Sequence, residues 1–199
     1  MSTSGGSSRE GAESQSAVPV SVGVVNLANS LTLLRILIVP FFVYALFHPA
    51  GTSLFWRYLA TALFALASYT DRVDGQLARN RNTVTDFGTF LDPIADKALI
   101  GSALIGLSHL GQVAWWVTVV ILVREFGVTL LRLVVLRRGV IPASRGGKAK
   151  TLIQGFAIFF YLWPLPVAVN PARIGLMAVA VVITVLTGLD YLKNAIRAE

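Results

Sequence analysis

The chain has 199 residues, of which 55% are hydrophobic and 14% are charged, and its mean hydropathy is +0.69. Soluble domains carry about 25% charged residues, so this composition indicates a membrane protein. With no cysteine and only two histidines, the chain excludes disulfides and cysteine-ligated zinc, and a bound metal would have oxygen ligands, as Mg²⁺ or Mn²⁺ prefer. The net charge is +7, but the basic residues stand at the ends of apolar stretches. Anionic lipids and phosphate-bearing substrates are therefore the expected partners, and nucleic acid is not.

Residues 1–16 are rich in Ser, Gly and Glu and lack apolar periodicity, which predicts a disordered tail. Residues 17–29 are modestly apolar but too short to span a bilayer, so we expect an interfacial segment. Six apolar stretches of near-spanning length follow. They cover residues 31–47, 54–70, 91–110, 113–136, 151–169 and 174–192. The sequence thus predicts an all-α, polytopic membrane domain over residues 17–199 with six transmembrane helices.

The basic residues that flank these spans fall mostly on one side. The opposite side holds only Arg57 and Arg173. The richer set is Arg72, Arg79, Arg81, Lys97, Arg137, Arg138, Arg145, Lys148, Lys150, Lys193 and Arg197. Because cytoplasmic loops carry the excess of Lys and Arg, both termini are expected to be cytoplasmic. This predicts a multi-pass protein of the inner cell membrane.

Four of the ten acidic residues stand close together where two predicted spans meet. They are Asp71, Asp74, Asp92 and Asp96. Carboxylates beside lipid are costly and usually functional, although aspartates merely solvated at the interface are the alternative. The first two are three residues apart and the last two are four apart, so on helices each pair shares a face. A linker over residues 80–87 would let the helices run antiparallel and the pairs converge. Four converging carboxylates need cations, and two divalent ions would suit a diphosphate substrate.

Small residues accompany these aspartates. Gly75, Ala78 and Gly88 would let a bulky ligand approach the helix backbone, and Arg79 could bind a phosphate beside the metal ions. Pro93 is expected in the first turn of its helix, where proline is tolerated.

The segment resembles the signature of the CDP-alcohol phosphotransferase family, D-x-x-D-G-x-x-A-R-(x)7–8-G-x-x-x-D-x-x-x-D, and matches all of its fixed positions between Asp71 and Asp96. The resemblance implies metal-dependent transfer of a substituted phosphate from a CDP-linked lipid to an alcohol, with release of CMP. It implies two Mg²⁺ or Mn²⁺ ions and a homodimer, and the bias of basic residues places the aspartate segment on the cytoplasmic side. The implied metal ligands are Asp71, Asp74, Asp92 and Asp96, and Asp96 is also the implied base.

The resemblance also implies nucleotide and CDP-lipid binding at the entry to the first span and at residues in and after the first half of the motif. These positions are Asn29, Thr32, Gly75, Ala78, Arg79, Thr85 and Gly88.

Residues 26–35, residues 87–97 and the segments 124–125 and 147–151 resemble one branch of the family, the bacterial phosphatidylglycerophosphate synthases. This implies CDP-diacylglycerol as donor and glycerol 3-phosphate as acceptor; inositol 1-phosphate, also anionic, is the alternative. The cations expected to hold the acceptor phosphate are Arg124, Arg132, Lys148 and Lys150. Plain positive-inside topology explains the two lysines equally simply, and for Arg124 the alternative is an intramembrane ion pair with a carboxylate.

Two other classes deserve comparison. Membrane prenyltransferases also hold magnesium and a diphosphate with aspartates, but they use two separated aspartate motifs. A divalent-cation transporter would use the aspartates as a pore site, and transporters often show internal repeats. This chain has one aspartate segment and no visible repeat.

Overall fold

The computed structural model describes residues 27–48, 52–81, 86–136 and 145–197, and the side chains of residues 30–48, 52–71, 91–131 and 150–193. The predicted tail and all but the last residues of the predicted interfacial segment lie outside these ranges. Six α-helices and one short 3-10 helix (Val167–Val169) make up the regular structure of the described chain. The α-helices are α1 (Leu27–Phe47), α2 (Leu54–Arg81), α3 (Asp86–His109), α4 (Trp115–Leu136), α5 (Arg145–Leu162) and α6 (Asn170–Arg197).

The described residues contain no strand, which confirms the all-α prediction. Two helical stretches among them, Ser30–Phe47 and Val167–Lys193, are long and apolar enough to cross a membrane. The arrangement with six spans and two cytoplasmic termini therefore stays a prediction. Many large apolar side chains point outward along the helices, among them Phe41, Val123 and Leu186. An exterior of this kind is suited to lipid contact.

Three expected boundaries were wrong. Helix α2 continues past the apolar stretch to Arg81 and α3 begins at Asp86, so the connection is shorter than the linker predicted over residues 80–87. Pro93 consequently lies inside α3 and not in its first turn, and the helix lacks one backbone donor there. The fifth apolar stretch was expected to reach residue 169, but α5 ends at Leu162 because Pro164 disfavours helical geometry at the residue before it.

The helices pack in two groups that share one core. Helix α1 packs against α2 and α3, while α6 packs against α4 and α5; α2 and α3 also contact α5. Phe42, Leu46 and Leu104 are fully buried between the helices. Gly106 on α3 lies so close to Leu46 that a side chain there would force Leu46 to move. Helices α1, α2 and α3 therefore form a tight unit, and this unit carries the aspartates.

Candidate active site

The structure places the aspartate motif on two neighbouring helices. Asp71 and Asp74 lie on the last part of α2, and Asp92 and Asp96 lie on the first part of α3. The helical spacing within each pair is therefore as predicted. The carboxylate of Asp71 is about 40% exposed, and Asp92 and Asp96 are half-buried. These acids are thus accessible to a ligand from the same end of the bundle.

Helix α1 contacts both aspartate-bearing helices. The Thr32 hydroxyl donates a hydrogen bond of 2.5 Å to Oδ1 of Asp92. One turn further on, Nη1 of Arg35 lies 2.9 Å from Oδ1 of Asp71. Residues three apart on a helix share a face, so one face of α1 binds an aspartate on each of the other two helices. This arrangement fixes Asp71 and Asp92 relative to each other.

Arg35 is a site residue that the sequence analysis did not assign. Its side chain is fully buried, and it lies inside the first apolar stretch. The signal was present, because a charged residue within such a stretch needs a partner of opposite charge. Thr32 was expected to contact the nucleotide, and the structure shows it bound to Asp92.

A divalent cation fits the chemistry of these donors. They are carboxylate oxygens, the ligands that Mg²⁺ and Mn²⁺ prefer, and Asp71 and Asp96 lie near enough for their charges to repel. Within the described side chains, no group of three or more histidine, aspartate or glutamate residues is close enough to hold a metal ion. Asp74 lies outside those side chains, so the four-aspartate metal site stays a prediction.

A second charged group adjoins Asp96, and we call it the Glu125 cluster: Arg124 and Glu125 of α4 with Lys150 of α5. Lys150 is buried and its Nζ contacts Oε1 of Glu125. Nη1 of Arg124 lies 3.4 Å from the same carboxylate oxygen, and Nη2 of Arg124 donates to the Thr187 hydroxyl at 3.0 Å. The ion pair that was the alternative explanation for Arg124 is therefore present, with its own neighbour Glu125 as the carboxylate.

A small cavity joins this cluster to the aspartates. It is lined by Asp96, Lys97, Glu125, Lys150 and Gln154, among others, and its volume is about 20 Å³, enough for about one water molecule. Two cations, Lys97 and Lys150, therefore line the cavity together with two acids, Asp96 and Glu125. Arg124 contacts Glu125 beside it. The sequence analysis used Lys97 only as a topology marker and did not identify Gln154.

The other predicted site residues can be placed only in part. Seven of them have a helical backbone, while their side chains lie outside the described part of the chain. They are Asn29 on α1; Gly75, Ala78 and Arg79 on α2; Gly88 on α3; Arg132 on α4; and Lys148 on α5. Thr85 lies outside the described residues altogether. The structure thus brings together Arg124 and Lys150 of the four predicted acceptor-binding cations.

Comparison with known proteins gives consistent matches. A family model described as CDP-alcohol phosphatidyltransferase matches residues 25–186, a range that includes the whole aspartate motif. A probable phosphatidylglycerophosphate synthase of Mycobacterium tuberculosis is 57% identical over 174 residues, which cover 87% of this chain and 83% of that protein. The resemblance inferred from the motif is therefore confirmed.

Two further relatives have more specific names. The CDP-diacylglycerol–glycerol-3-phosphate 3-phosphatidyltransferase of Bacillus subtilis is 40% identical, over 85% of this chain and 94% of that protein. The protein of the same name from Escherichia coli is 37% identical, over 87% of this chain and 96% of that protein.

The ion pair between α1 and α2 leads to a testable prediction. The free energy of unfolding is measured in detergent without divalent ions for Arg35→Met, Asp71→Asn and the double variant. We expect the loss in the double variant to differ from the sum of the single losses by about 1–2 kcal/mol. The reason is that each single change removes the same contact. Pairing Arg35→Met with Asp190→Asn, an exposed acid on α6, should give additive losses. Additivity in the Arg35 and Asp71 cycle as well would show that the contact does not stabilise the fold.

Proposed function

The chain belongs to the CDP-alcohol phosphatidyltransferase family, and we propose that it transfers the phosphatidyl group of CDP-diacylglycerol to glycerol 3-phosphate. The products would be phosphatidylglycerophosphate and CMP, in phospholipid biosynthesis. The observation that carries the proposal is the complete aspartate motif at the ends of α2 and α3, next to a cation cluster that suits a phosphorylated alcohol. The names of the relatives, which specify this donor and this acceptor, support it.

Asp71, Asp74, Asp92 and Asp96 would hold two divalent ions, Mg²⁺ or Mn²⁺, which when bound neutralise the diphosphate of the donor. The contacts that Thr32 and Arg35 make with Asp92 and Asp71 support this assignment, because they keep two of the carboxylates in fixed positions. Preorganised charges of this kind stabilise a transition state without reorganising during the reaction.

In the proposed transfer step, Asp96 acts on the acceptor hydroxyl. The acceptor hydroxyl oxygen forms a bond to the phosphorus of the phosphatidyl group, and the bond from that phosphorus to the bridging oxygen breaks. CMP leaves with the electron pair, while Asp96 takes the hydroxyl proton as general base. Asp96 suits this role because it lines the cavity shared with the cations that would hold the acceptor.

Acceptor binding is assigned to Arg124 and Lys150, together with the predicted Arg132 and Lys148. Arg124 and Lys150 both contact the single carboxylate of Glu125, so the cluster retains positive charge that can bind an incoming phosphate. This charge would serve inositol 1-phosphate as well as glycerol 3-phosphate, and it is the names of the relatives that favour glycerol 3-phosphate.

The remaining features of the proposal concern assembly and location. A multi-pass protein of the inner membrane, with its active site towards the cytoplasm, agrees with the apolar exterior and with the sequence bias of basic residues. The homodimer rests on the family resemblance alone. The family match leaves the prenyltransferase and transporter hypotheses without support.

An activity assay tests the substrates and the metal together. Purified protein supplied with CDP-diacylglycerol should release CMP when glycerol 3-phosphate is the acceptor. The kcat/KM should be at least about tenfold above that for inositol 1-phosphate, a ratio that corresponds to a difference of about 1.4 kcal/mol in activation free energy. EDTA should abolish release, and Mg²⁺ or Mn²⁺ should restore it. Faster release with inositol 1-phosphate would overturn the acceptor assignment while leaving the family chemistry intact.

The role of Asp96 can be isolated with a matched pair of variants. Asp96→Asn should lower kcat roughly 10²–10⁴-fold, the contribution typical of a general base, because the amide cannot take the proton. Asp190→Asn, which neutralises an exposed acid on α6, should retain full turnover. Full turnover in Asp96→Asn would exclude the residue as base.

Loss of the buried cation should affect the acceptor more than the chemistry. We expect Lys150→Gln to raise the KM for glycerol 3-phosphate about tenfold or more, through loss of a charge-assisted hydrogen bond, with a smaller change in the KM for CDP-diacylglycerol. Lys193→Gln, an exposed cation on α6, serves as control. An equal rise in both KM values would indicate a structural role for the Lys150–Glu125 pair.

A further inference from the structure

A second polar cavity lies at the end of the bundle opposite the aspartates. Arg57, which lines it, precedes Asp71 by fourteen residues on α2, a separation of about 21 Å along the helix axis. The cavity has a volume of about 470 Å³, far more than one water molecule needs. Its polar lining includes Arg57, Gln112, Asn170 and Arg173. None of these residues belongs to the proposed active site.

The two arginines in this cavity are bonded only to neutral acceptors among the described residues. Nη2 of Arg57 donates to Oε1 of Gln112 at 3.0 Å and to the carbonyl oxygens of Tyr161 and Leu162 at 2.8 and 3.1 Å. Arg57 is only 5% exposed, and its Nε has no hydrogen-bond partner within the described part of the structure. A buried guanidinium without a carboxylate carries charge that its surroundings do not neutralise.

Arg173 has the same kind of environment. Its Nη1 donates to Oδ1 of Asn170 at 3.2 Å, and its Nη2 donates to the carbonyl oxygens of Trp163 and Leu165 at 2.6 and 3.3 Å. Its Nε is also buried and without a partner among the described residues. The cavity therefore contains two guanidinium groups that donate only to neutral acceptors among the described residues.

Among the residues that the structure describes, no acid lines this end of the bundle. The described residues that connect the helices at this end are 48, 52–53, 110–114 and 163–169. The ten acidic residues of the chain are Glu10, Glu13, Asp71, Asp74, Asp86, Asp92, Asp96, Glu125, Asp190 and Glu199. None falls in these connections, and Glu125 lies ten residues into α4, about 15 Å from its start.

Two helix ends add to the positive potential. Helix α2 begins at Leu54 and α6 begins at Asn170, and both residues line the cavity. Helix N-termini carry partial positive charge and favour anions. Arg57 and Arg173 are also the only two basic residues assigned to this side of the predicted spans, against eleven on the other. Both of them converge on one cavity.

From these observations we infer that this cavity binds a phosphate-bearing anion at the face opposite the active site. The guanidinium groups of Arg57 and Arg173 provide the charge, and the side-chain amides of Gln112 and Asn170 provide neutral donors. The phosphate can belong to the headgroup of an anionic phospholipid or to a free phosphate, since the same groups would recognise either.

Hydrogen–deuterium exchange on the full-length protein in neutral detergent tests this inference without reading enzyme activity, so its outcome is independent of the proposed function. The probes are inorganic phosphate and dihexanoyl phosphatidylglycerol, compared with dihexanoyl phosphatidylcholine and with sodium chloride at equal ionic strength. We expect protection of backbone amides in residues 52–57 and 163–173. Residues 91–100 and 150–155 report any binding at the proposed active site separately.

Variants connect the protection to the cavity. Arg173→Gln should weaken the probe's apparent affinity about tenfold or more at residues 163–173, while Arg173→Lys and Lys193→Gln should preserve most of it. Protection by the short-chain lipid at much lower concentration than by phosphate identifies a headgroup site, and the reverse identifies a free-anion site. Absence of protection by either probe in the wild-type protein, or equal protection in Arg173→Gln, would show that the arginines only cap the end of α5 and would overturn the inference.

Discussion

A buried charge in an apolar helical bundle needs a partner, and helix α1 supplies partners to the two helices that carry the aspartates. Arg35, fully buried, pairs with Asp71 of α2, and Thr32 binds Asp92 of α3. Neither aspartate-bearing helix could fix the other through these acids alone, because like charges repel. Helix α1 is therefore part of the proposed active site, although none of its residues belongs to the aspartate motif.

The charges of the described structure fall into separate groups with different compositions. At one end, aspartates and the Glu125 cluster mix both signs around Asp96, which agrees with the proposed transfer to an anionic acceptor. At the other end, the described residues that line the cavity include Arg57 and Arg173 and no acid. A cavity lined by charges of one sign raises the local concentration of ions of the opposite sign, so this end favours an anion.

Most of the helical architecture and the placement of the aspartates followed from the sequence. Apolar stretches located the helices, and the three- and four-residue spacings placed each aspartate pair on one face of its helix. The contact between Arg35 and Asp71 was missed because periodicity shows which residues share a face but not which faces meet. The end of α5 was misplaced for a different reason: an apolar run continues through Pro164, while the helix does not. The metal ligands and the nucleotide contacts depend on side chains such as Asp74 and Arg79, which lie outside those described.

Helix α1 is held at two widely separated points. Near its start Thr32 and Arg35 hold the aspartates, and fourteen residues after Thr32 the side chain of Leu46 packs against the bare backbone of Gly106. These two sets of contacts lie about 21 Å apart along the axis of α1. Sliding or rotation of the helix would break at least one of them. The positions of Asp71 and Asp92 along the bundle accordingly depend on the regular rise of helix α1 and not on the conformation of a loop.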